Sequence, residues 1–351
     1  MALSPEEKDA FLFVPGAGFT LAEELRLSER SRRPYFAPGA TYPMMNYRVQ
    51  DSPFARYQTL VDVQRPRQIK YGDLQEIVDL KITYHDLPFT TQKDYFRLDD
   101  EKVLVPITLE VRHKDLTFQQ SNGFHQAKLA VYGVVTNINK RIIAEFEDEL
   151  VASFRSEERD QGMRQGSLYR KLLLLDKNIR YKLDWVVKDL KSGMVGAKSE
   201  AIIPPAFSRE QLSASSLILS GFIVPVQESD RHQMFVLGDV RVRPNLDKSF
   251  SPDDYFALYL QLYNVAIDQS TLNPSSRIHY RILQAGETMV ESLDEVGESV
   301  QYFSPQRMVL IKRLPLNALA PGRYTVEVEF RDRITNEVAT VSDQFKVVSP
   351  D

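Results

Sequence analysis

The fold is decided by two similar stretches, Arg180-Tyr-Lys-Leu-Asp-Trp-Val-Val-Lys-Asp189 and Arg323-Tyr-Thr-Val-Glu-Val-Glu-Phe-Arg-Asp332. In each, apolar and polar residues alternate with the period of two that is typical of a β-strand with one buried face. The side chains predicted to enter a core are Tyr181, Leu183, Trp185 and Val187 in the first copy, and Tyr324, Val326, Val328 and Phe330 in the second. The closing basic–Asp pair predicts a turn into a last strand, through Ser192-Gly193 and Thr335-Asn336. This pattern is typical of the penultimate hairpin of an immunoglobulin-like or fibronectin-III-like sandwich.

A second match lies upstream of these strands at a different spacing. Residues 129–137 (LAVYGVVTN) align with residues 260–268 (LQLYNVAID) at an offset of 131 (129 to 260), whereas the two strands above are offset by 143 (180 to 323). At the offset of 131, Val111-Arg112 also falls on Val242-Arg243. The difference predicts a longer loop in the second copy, within residues 268–306. Two tandem copies of one sandwich are the economical explanation.

From about residue 82 onward the chain reads as short strands separated by turn residues. Residues 104–111 alternate as a half-buried strand. Further strands are predicted at 127–136, 141–152, 181–189, 197–203, 217–224, 234–243, 255–268, 276–284, 307–315, 322–332 and 338–348. The pair Pro204-Pro205 cannot lie in a central strand, and a serine-rich bridge follows it. We therefore predict a mainly β protein with an N-terminal arm (1–72), a first sandwich (73–206) and a second sandwich (207–351).

The N-terminal arm is predicted to be a small region of mixed helical and extended structure. Capping residues and prolines indicate short helices that begin near Ser4, Thr20 and Ser52, and Asp73 caps another with Leu74, Ile77 and Val78 as its apolar stripe. Between residues 26 and 70, nine basic residues stand against three acidic ones, a net charge of +6 in a chain whose total is −4. The rest of the chain is therefore net −10.

This basic arm is the predicted partner-docking surface. It interleaves cations with aromatic rings, and the residues expected to contact a partner are Arg30, Arg32, Arg33, Tyr35, Phe36, Tyr42, Tyr47 and Arg48. The arm either stays solvated or docks on an acidic surface of its own chain or of a partner protein. Binding to nucleic acid or to an anionic membrane is the less favoured alternative, because the whole chain is close to neutral.

Composition and motifs exclude several classes of protein. The chain has no cysteine, so it has no disulfide framework and no thiolate site. It has no run of ~18 apolar residues, so no transmembrane helix is expected, and acidic residues near its start exclude an intact secretory signal peptide. Its five histidines lack metal-binding spacing, and Val14–Gly18 lacks the Lys-Ser/Thr of a phosphate loop. We predict no cofactor, no metal and no enzymatic activity.

The densest acidic run predicts a solvated strand face. Glu145, Glu147 and Glu149 point to one side of a strand, and Phe146 and Asp148 point to the other. A calcium site needs six to eight oxygens from several loops, which one strand does not supply.

Short motifs along nearly the whole chain carry a family resemblance. They are Leu3–Ala10, Val14–Gly18, Val131–Gly133, Phe146–Asp148, Val187–Asp189 with Ser192-Gly193, Ser213–Ser220 and Gly238–Pro244. Together they resemble the C-terminal half of bacterial GWxTD-domain proteins, although the Gly-Trp-x-Thr-Asp motif is absent and the one tryptophan is Trp185. The resemblance implies an exported protein, periplasmic or secreted, with a further N-terminal half. It implies no activity and no functional residues.

These observations favour a non-catalytic protein-interaction or structural scaffold module. Strand edges and loops of such sandwiches can pair with a protein partner or with another copy of the chain. The alternative is a carbohydrate-binding or carbohydrate-active accessory domain of an exported protein. That alternative requires a patch of exposed aromatic rings, or two carboxylates about 5–9.5 Å apart in a cleft.

Overall fold

The structure is a computed structural model that describes residues 72–79, 84–121, 123–226, 235–237, 240–270, 273–295, 300–304 and 307–349. The fold is mainly β, as predicted, and contains several sheets. No helix among these residues is long and apolar enough to cross a membrane. The helices predicted near Ser4, Thr20 and Ser52 lie outside the described residues.

We call the described residues up to 206 the first half and those from 207 onward the second half. The helices are α1 (Gly72–Asp79) and α2 (Arg159–Arg164), with 3-10 turns at His113–Asp115 and Ser156–Glu158. The strands of the first half are β1 (Thr90–Lys93), β2 (Phe96–Arg97), β3 (Lys102–Arg112), β4 (Gln119–Ser121), β5 (Phe124–Asn137), β6 (Ile142–Arg155), β7 (Gly166–Asp176), β8 (Tyr181–Asp189) and β9 (Val195–Ile202).

The strands of the second half follow in chain order. They are β10 (Ser213–Ala214), β11 (Ile218–Pro225), β12 (Val236–Leu237), β13 (Val240–Pro244), β14 (Ser249–Phe250), β15 (Ala257–Tyr263), β16 (Ser276–Gln284), β17 (Glu287–Glu295), β18 (Val300–Ser304), β19 (Arg307–Arg313), β20 (Gly322–Asp332) and β21 (Val338–Val347).

The first half has two sheets that share one core. In one sheet β3 pairs with β1 and β2 on one edge and with β7 on the other. In the other sheet β5 lies between β6 and β8, β9 follows β8, and β4 pairs with the start of β5. The four side chains predicted to point inward from residues 181–187 all lie in the core. Trp185 is at its centre, with the rings of Phe146 and Tyr169 at centroid distances of 5.6 and 6.5 Å.

Gly133 makes room for this aromatic cluster. It pairs with Phe146 on β6 and with Trp185 on β8. A Cβ atom at Gly133 would lie 2.2 Å from Cζ of Phe146, which is far closer than van der Waals contact allows. The absence of a side chain therefore lets the Phe146 ring cross β5 and meet the indole of Trp185.

Strand β3 is buried on both faces, so the prediction of a half-buried strand at 104–111 is wrong. Ile107 enters the core, but Leu104 and Thr108 on the opposite face are only 6% and 1% exposed. The second half covers that face, because Phe96 pairs with Leu104 and packs its ring against Tyr259 at 6.2 Å. The alternation of residues in the sequence does not show that the face with Leu104 and Thr108 is also buried.

Pro106 explains why the strand beside β3 is divided into β1 and β2. Its carbonyl accepts a hydrogen bond of 3.0 Å from the backbone N–H of Asp94, so its ring nitrogen faces the same edge and has no hydrogen to donate. Regular pairing therefore stops between Lys93 and Phe96. The linking residues Asp94 and Tyr95 are left to make other contacts.

Helix α1 covers the outer face of the sheet that contains β5, β8 and β9. Leu74 and Ile77 pack with Tyr132 of β5 in a small apolar cluster, and Asp73 forms an ion pair with Lys188 at its margin. The predicted helix and its apolar stripe are confirmed, but the helix begins at Gly72, so Asp73 lies in its first turn and is not its cap. The burial of this stripe explains why the outer face of β5 is apolar around Tyr132 and why Val186 of β8 is buried on that same face.

The second half has the same strand order around its own core. A sheet ordered β11–β15–β19 faces a sheet ordered β17–β16–β20–β21. The four predicted inward side chains of residues 324–330 lie in this core. The outer face of the second sheet carries ion pairs rather than a helix, with Glu329 at 3.4 Å from Arg281 and 3.6 Å from Arg331.

The strand order shows which strands correspond. Strands β8 and β20 occupy equivalent places, so the match of the two deciding stretches is confirmed. Strand β5 corresponds to β16 and β3 to β15, so the alignment of 129–137 with 260–268 is wrong. Those segments look alike because each is the central strand of its sheet and sends alternate residues into a core. The strand predicted at 276–284 is confirmed as β16. The longer loop predicted within 268–306 is wrong for residues 287–295, which form β17 and pair with β16.

Two predicted strands have different bounds in the structure. The strand predicted at 234–243 is replaced by the short strands β12 and β13, which pair with each other. Residues 224–242 belong to a separate compact unit. The strand predicted at 255–268 ends at Tyr263, because Asn264 has a positive φ of 61° and turns the backbone out of the strand.

Candidate functional site

The described residues form an extensive polar contact between the two halves, which we call the junction. Its parts are Tyr95, Phe96 and Arg97 of the first half and Ser216, Tyr259, Gln261 and Tyr263 of the second. Strand β15 positions the last three, because its alternate residues Leu258, Leu260 and Leu262 point into the second core. Tyr259, Gln261 and Tyr263 point the opposite way and are 0–1% exposed.

A chain of hydrogen bonds connects these three side chains. The Gln261 amide donates to the hydroxyl of Tyr259 at 2.8 Å, and the hydroxyl of Tyr263 donates to the Gln261 carbonyl at 3.0 Å. Burial raises the pKa of both tyrosine hydroxyls, so both stay protonated and available as donors. A buried network of this kind specifies one arrangement of the surfaces that it joins.

Arg97 fastens the first half to this network. Its backbone N–H donates to the hydroxyl of Tyr263 at 3.0 Å, and its guanidinium carbon lies 5.5 Å from the centre of the same ring. One guanidinium nitrogen, Nη1, also donates to the carbonyl of Ser208 and to Oδ1 of Asn264, both at 2.9 Å. A single side chain thus satisfies polar groups from two segments of the second half.

Backbone pairing reinforces the contact beside Arg97. The N–H of Tyr95 donates to the hydroxyl of Ser216 at 2.9 Å, and the N–H of Ser216 donates to the carbonyl of Tyr95 at 3.1 Å. These are the groups that the gap at Pro106 frees from the sheet of the first half.

Asp94 is a buried carboxyl at the edge of the junction. It is 4% exposed, and the Gln92 amide donates to both of its oxygens at 3.1 and 3.0 Å. Burial raises the pKa of Asp94 to about 7, against the opposing effects of the Gln92 hydrogen bond and of Lys248. Asp343, which forms an ion pair with Lys248 at 2.5 Å, adds to the rise.

An exposed ion pair and an exposed hydrogen bond lie beside the junction. Arg112 lies 2.6 Å from Asp247 across the two halves, and Arg243 donates to the carbonyl of Gly166 at 3.3 Å. Solvent-exposed pairs contribute little to stability, so the buried groups around Tyr263 and Arg97 define the geometry of the contact.

A second feature is a shallow groove of about 370 Å³ on the first half, which we call the end groove. It lies where β5 ends, β8 begins and β9 ends. Its lining residues are Asn137, Ile138, Arg180, Tyr181, Lys182, Ser199, Glu200 and Ala201.

The predicted docking residues are not part of either feature. Arg30, Arg32, Arg33, Tyr35, Phe36, Tyr42, Tyr47 and Arg48 all lie outside the described residues. Sequence reasoning missed the junction, although the segment Leu258-Tyr-Leu-Gln-Leu-Tyr263 held a signal. Its polar face carries two tyrosines and a glutamine with no charged residue, a composition suited to a buried contact surface.

The acidic strand has the two faces that its alternation predicts, and one histidine, His113, is buried rather than exposed. Phe146 lies in the core and Glu145 on the outer face, bonded to the hydroxyl of Tyr132. His113 is buried and holds α2 in place by bonding the carbonyl of Gly162 at 2.7 Å. The described part of the chain contains no cluster of three or more His, Cys, Asp or Glu side chains suited to a metal ion.

Comparison with known proteins gives structural neighbours only. No family model matches the chain, and no curated protein matches it. Dimeric latent PorU from Porphyromonas gingivalis is similar over 75% of this chain and 24% of its own, with 12% identity and a TM-score of 0.26. A calcium-binding mutant of Bacteroides uniformis beta-glucuronidase 2 is similar over 76% and 28%, with 12% identity and a TM-score of 0.24.

A third neighbour is the C-terminal domain of the AgI/II polypeptide BspA from Streptococcus agalactiae. It is similar over 74% of this chain and 100% of its own, with 6% identity and a TM-score of 0.18. The chain spans about a quarter of the length of the first two proteins. All three TM-scores are below 0.5, so nothing about the function of this chain follows from them.

Proposed function

We propose that the chain is a tandem of two immunoglobulin-like sandwiches, residues 73–206 and 207–351, that acts as a non-catalytic scaffold for a protein partner. The observation that carries the proposal is the junction. It buries Tyr259, Gln261 and Tyr263 in a hydrogen-bonded network and fastens Arg97 to them, so that both halves present their free surfaces in one fixed arrangement.

The immunoglobulin-like assignment is supported by two local features besides the shared strand order. The hydroxyl of Tyr324 donates to the carbonyl of Ala320 at 2.7 Å, and the hydroxyl of Tyr181 accepts from the N–H of Asp176 at 3.2 Å. A tyrosine at the start of this strand that bonds back to the preceding backbone is typical of such sandwiches. The GWxTD resemblance and an exported location stay predictions.

A scaffold role predicts a partner that contacts both halves. The test is chemical cross-linking of the purified chain in lysate of its source cells, followed by mass spectrometry of the cross-linked peptides. We expect one partner to be linked to lysines of both halves. We expect its yield to fall about tenfold, the effect of losing one well-placed contact, when Arg97→Ala loosens the junction.

The matched control is Arg209→Ala. Arg209 is 61% exposed and pairs with Asp100 at 3.1 Å, so its removal takes away a charge near the junction without opening it. A chain that captures no partner, or whose partner links to one half only, would contradict the scaffold role.

A further inference from the structure

The end groove combines the positively charged side chain of Arg180 with exposed aliphatic side chains. Register places the groove residues together, because Asn137 pairs with Tyr181 and Tyr181 pairs with Ile202. The N–H of Asn178 donates to the carbonyl of Pro204 at 3.0 Å, which brings the loop before β8 beside the segment after β9.

The charged groups on the floor of the groove are already paired with one another. The Glu200 carboxylate forms ion pairs with the ammonium groups of Lys93 at 2.7 Å and Lys198 at 2.5 Å. The ammonium group of Lys182 lies 2.6 Å from the Asp184 carboxylate. These pairs leave no strong negative charge on the floor of the groove.

Arg180 is the exception among these groups. It is exposed, and its guanidinium makes no ion pair or hydrogen bond with any residue in the described part of the chain. An arginine presents two parallel N–H donors to a carboxylate. The groove is therefore electrostatically complementary to a single carboxylate placed at its rim.

Aliphatic side chains surround this cation. Ile138 lines the groove and is 76% exposed, and Ile203 and Ile179 next to it are 54% and 39% exposed. Solvent-facing isoleucines gathered at one end of a sandwich are unfavourable unless something covers them. The surface is apolar with one charge, the pattern of a peptide-binding groove rather than of a solvated loop cluster.

We propose that the end groove binds an extended segment of a partner protein that carries a carboxylate beside aliphatic side chains. The aliphatic groups pack on Ile138 and Ile203, and the carboxylate pairs with Arg180. This inference rests on the proposed scaffold function and names its binding site. A nucleic acid fits less well, because it needs several cations in a row and Lys93, Lys182 and Lys198 are held by carboxylates.

Arg323 provides a matched control. It directly precedes Tyr324 as Arg180 directly precedes Tyr181, 143 residues earlier (180 to 323), and it is also exposed. The substitutions Arg180→Glu and Arg323→Glu therefore make the same change of charge at equivalent points of the two halves. Ile138→Ser, in an exposed turn, removes the apolar contact and adds no charge beside Arg180.

The experiment titrates the intact chain with two fluorescein-labelled eight-residue peptides, one alternating isoleucine with aspartate and one alternating isoleucine with lysine. We expect the aspartate peptide to bind. Its dissociation constant should rise about tenfold in Arg180→Glu, as expected for the loss of one charge-assisted pair, and about tenfold in Ile138→Ser, as expected for the loss of a buried aliphatic side chain. Arg323→Glu should leave binding unchanged. The fluorescence of Trp185 verifies that the first half is folded in Arg180→Glu and Ile138→Ser, and far-ultraviolet circular dichroism verifies that Arg323→Glu is folded.

Three results would overturn the proposal: no binding of the aspartate peptide, equal binding of both peptides, or equal loss in Arg180→Glu and Arg323→Glu. The failure of the groove can be told apart from the failure of the scaffold. If the cross-linked partner is captured equally by Arg180→Glu, the groove is wrong and the scaffold stands. If no partner is captured, the scaffold role fails, and the peptide titration decides the groove by itself.

Discussion

Asp189 and Asp332 make the same hydrogen bonds in the two halves. Oδ2 of Asp189 accepts the N–H of Thr117 at 2.8 Å, and Oδ2 of Asp332 accepts the N–H of Ala266 at 2.8 Å. Their Oδ1 atoms accept the N–H two residues later, from Lys191 at 2.9 Å and from Ile334 at 2.8 Å. Each carboxylate is fully buried and ties the last hairpin of its half to the loop that crosses between the sheets.

Substitution of Asp189 by alanine should destabilise the first half. It leaves several buried N–H groups without an acceptor, and each such group costs about 1–3 kcal/mol. We expect a loss of about 2–4 kcal/mol in the free energy of unfolding, measured in urea by the fluorescence of Trp185. Asp253→Ala, in an exposed turn, is the control. A loss below about 0.5 kcal/mol, the range of neutral surface changes, would show that the carboxylate does not fasten the hairpin.

Asp94 should make stability fall as the pH rises. Its pKa is about 7 in the folded chain against an ordinary value of 3.8, so the folded state holds the proton more tightly than the unfolded state. The stability that it contributes is complete below pH 4 and is lost as the pH rises through 7. Asp94→Asn should remove this dependence, which amounts to at most about 4 kcal/mol.

The measurement for Asp94 is the free energy of unfolding at intervals between pH 4 and pH 8, for the unmodified chain and Asp94→Asn. The variant should be the more stable protein at pH 8. The idea fails if the two curves run parallel, since the slope would then come from other groups.

His113 should act in the opposite direction at low pH. Burial lowers its pKa from 6.5, and the nearby Arg243 adds to this, while the bond to the Gly162 carbonyl opposes it. Its neutral ring donates from Nδ1 to Gly162 and accepts the hydroxyl of Ser167 at Nε2, at 2.7 and 2.8 Å. The stability that it contributes is present above pH 6.5 and is lost as the pH falls through the lowered pKa.

Hydrogen exchange around α2 at pH 5 and pH 7.5 tests this role of His113. We expect faster opening of residues 156–167 at pH 5, relative to β8, and a smaller pH effect in His113→Gln. His85→Gln, at an exposed position, is the control. Equal pH effects in the unmodified chain and in His113→Gln would assign the opening to other groups.

Gly133→Ala should destabilise the first half although alanine is a small change. The added methyl group meets the Phe146 ring at 2.2 Å, so the ring must leave its place against Trp185. We expect a loss of about 1–3 kcal/mol and a shift in Trp185 emission. Gly72→Ala is the control, because a Cβ atom added at Gly72 would have no other atom within 4 Å. A Gly133→Ala chain that is as stable as this control would refute the close approach of Phe146 to Gly133.

The strands with one buried face were predictable from the sequence, and the surfaces between elements were not. Residues 181–189 and 324–332 alternate because only one face enters a core, and their prediction is confirmed. Strand β7 was missed because its run Leu172–Leu175 does not alternate. Strand β17 was missed because it is an exposed edge rich in glutamate. In both, contacts with neighbouring strands outweigh the local pattern.

The candidate sites were less predictable than the strands for a physical reason. The junction depends on Arg97 meeting Tyr263, which are 166 residues apart, and on a gap that Pro106 leaves in a sheet. The end groove gathers Ile138, Arg180 and Ala201 from three separate segments. The local sequence pattern does not predict contacts between residues so far apart in the chain. The basic–Asp pairs that end at Asp189 and Asp332 are local, and the turns after them were predicted from the sequence.

The central claim is that the junction holds the two halves in one arrangement, and a distance measurement tests it most directly. The chain has no cysteine, so spin labels can be placed at Val151 and Met289, which are 50% and 42% exposed, with Val151 and Ile179 as a pair within the first half. We expect pulsed electron–electron double resonance to give a narrow distance distribution for each of the two pairs. Arg97→Ala should broaden the distance distribution between Val151 and Met289 and leave that between Val151 and Ile179 narrow. A broad distribution between the halves in the unmodified chain, beside a narrow one within the first half, would contradict the account.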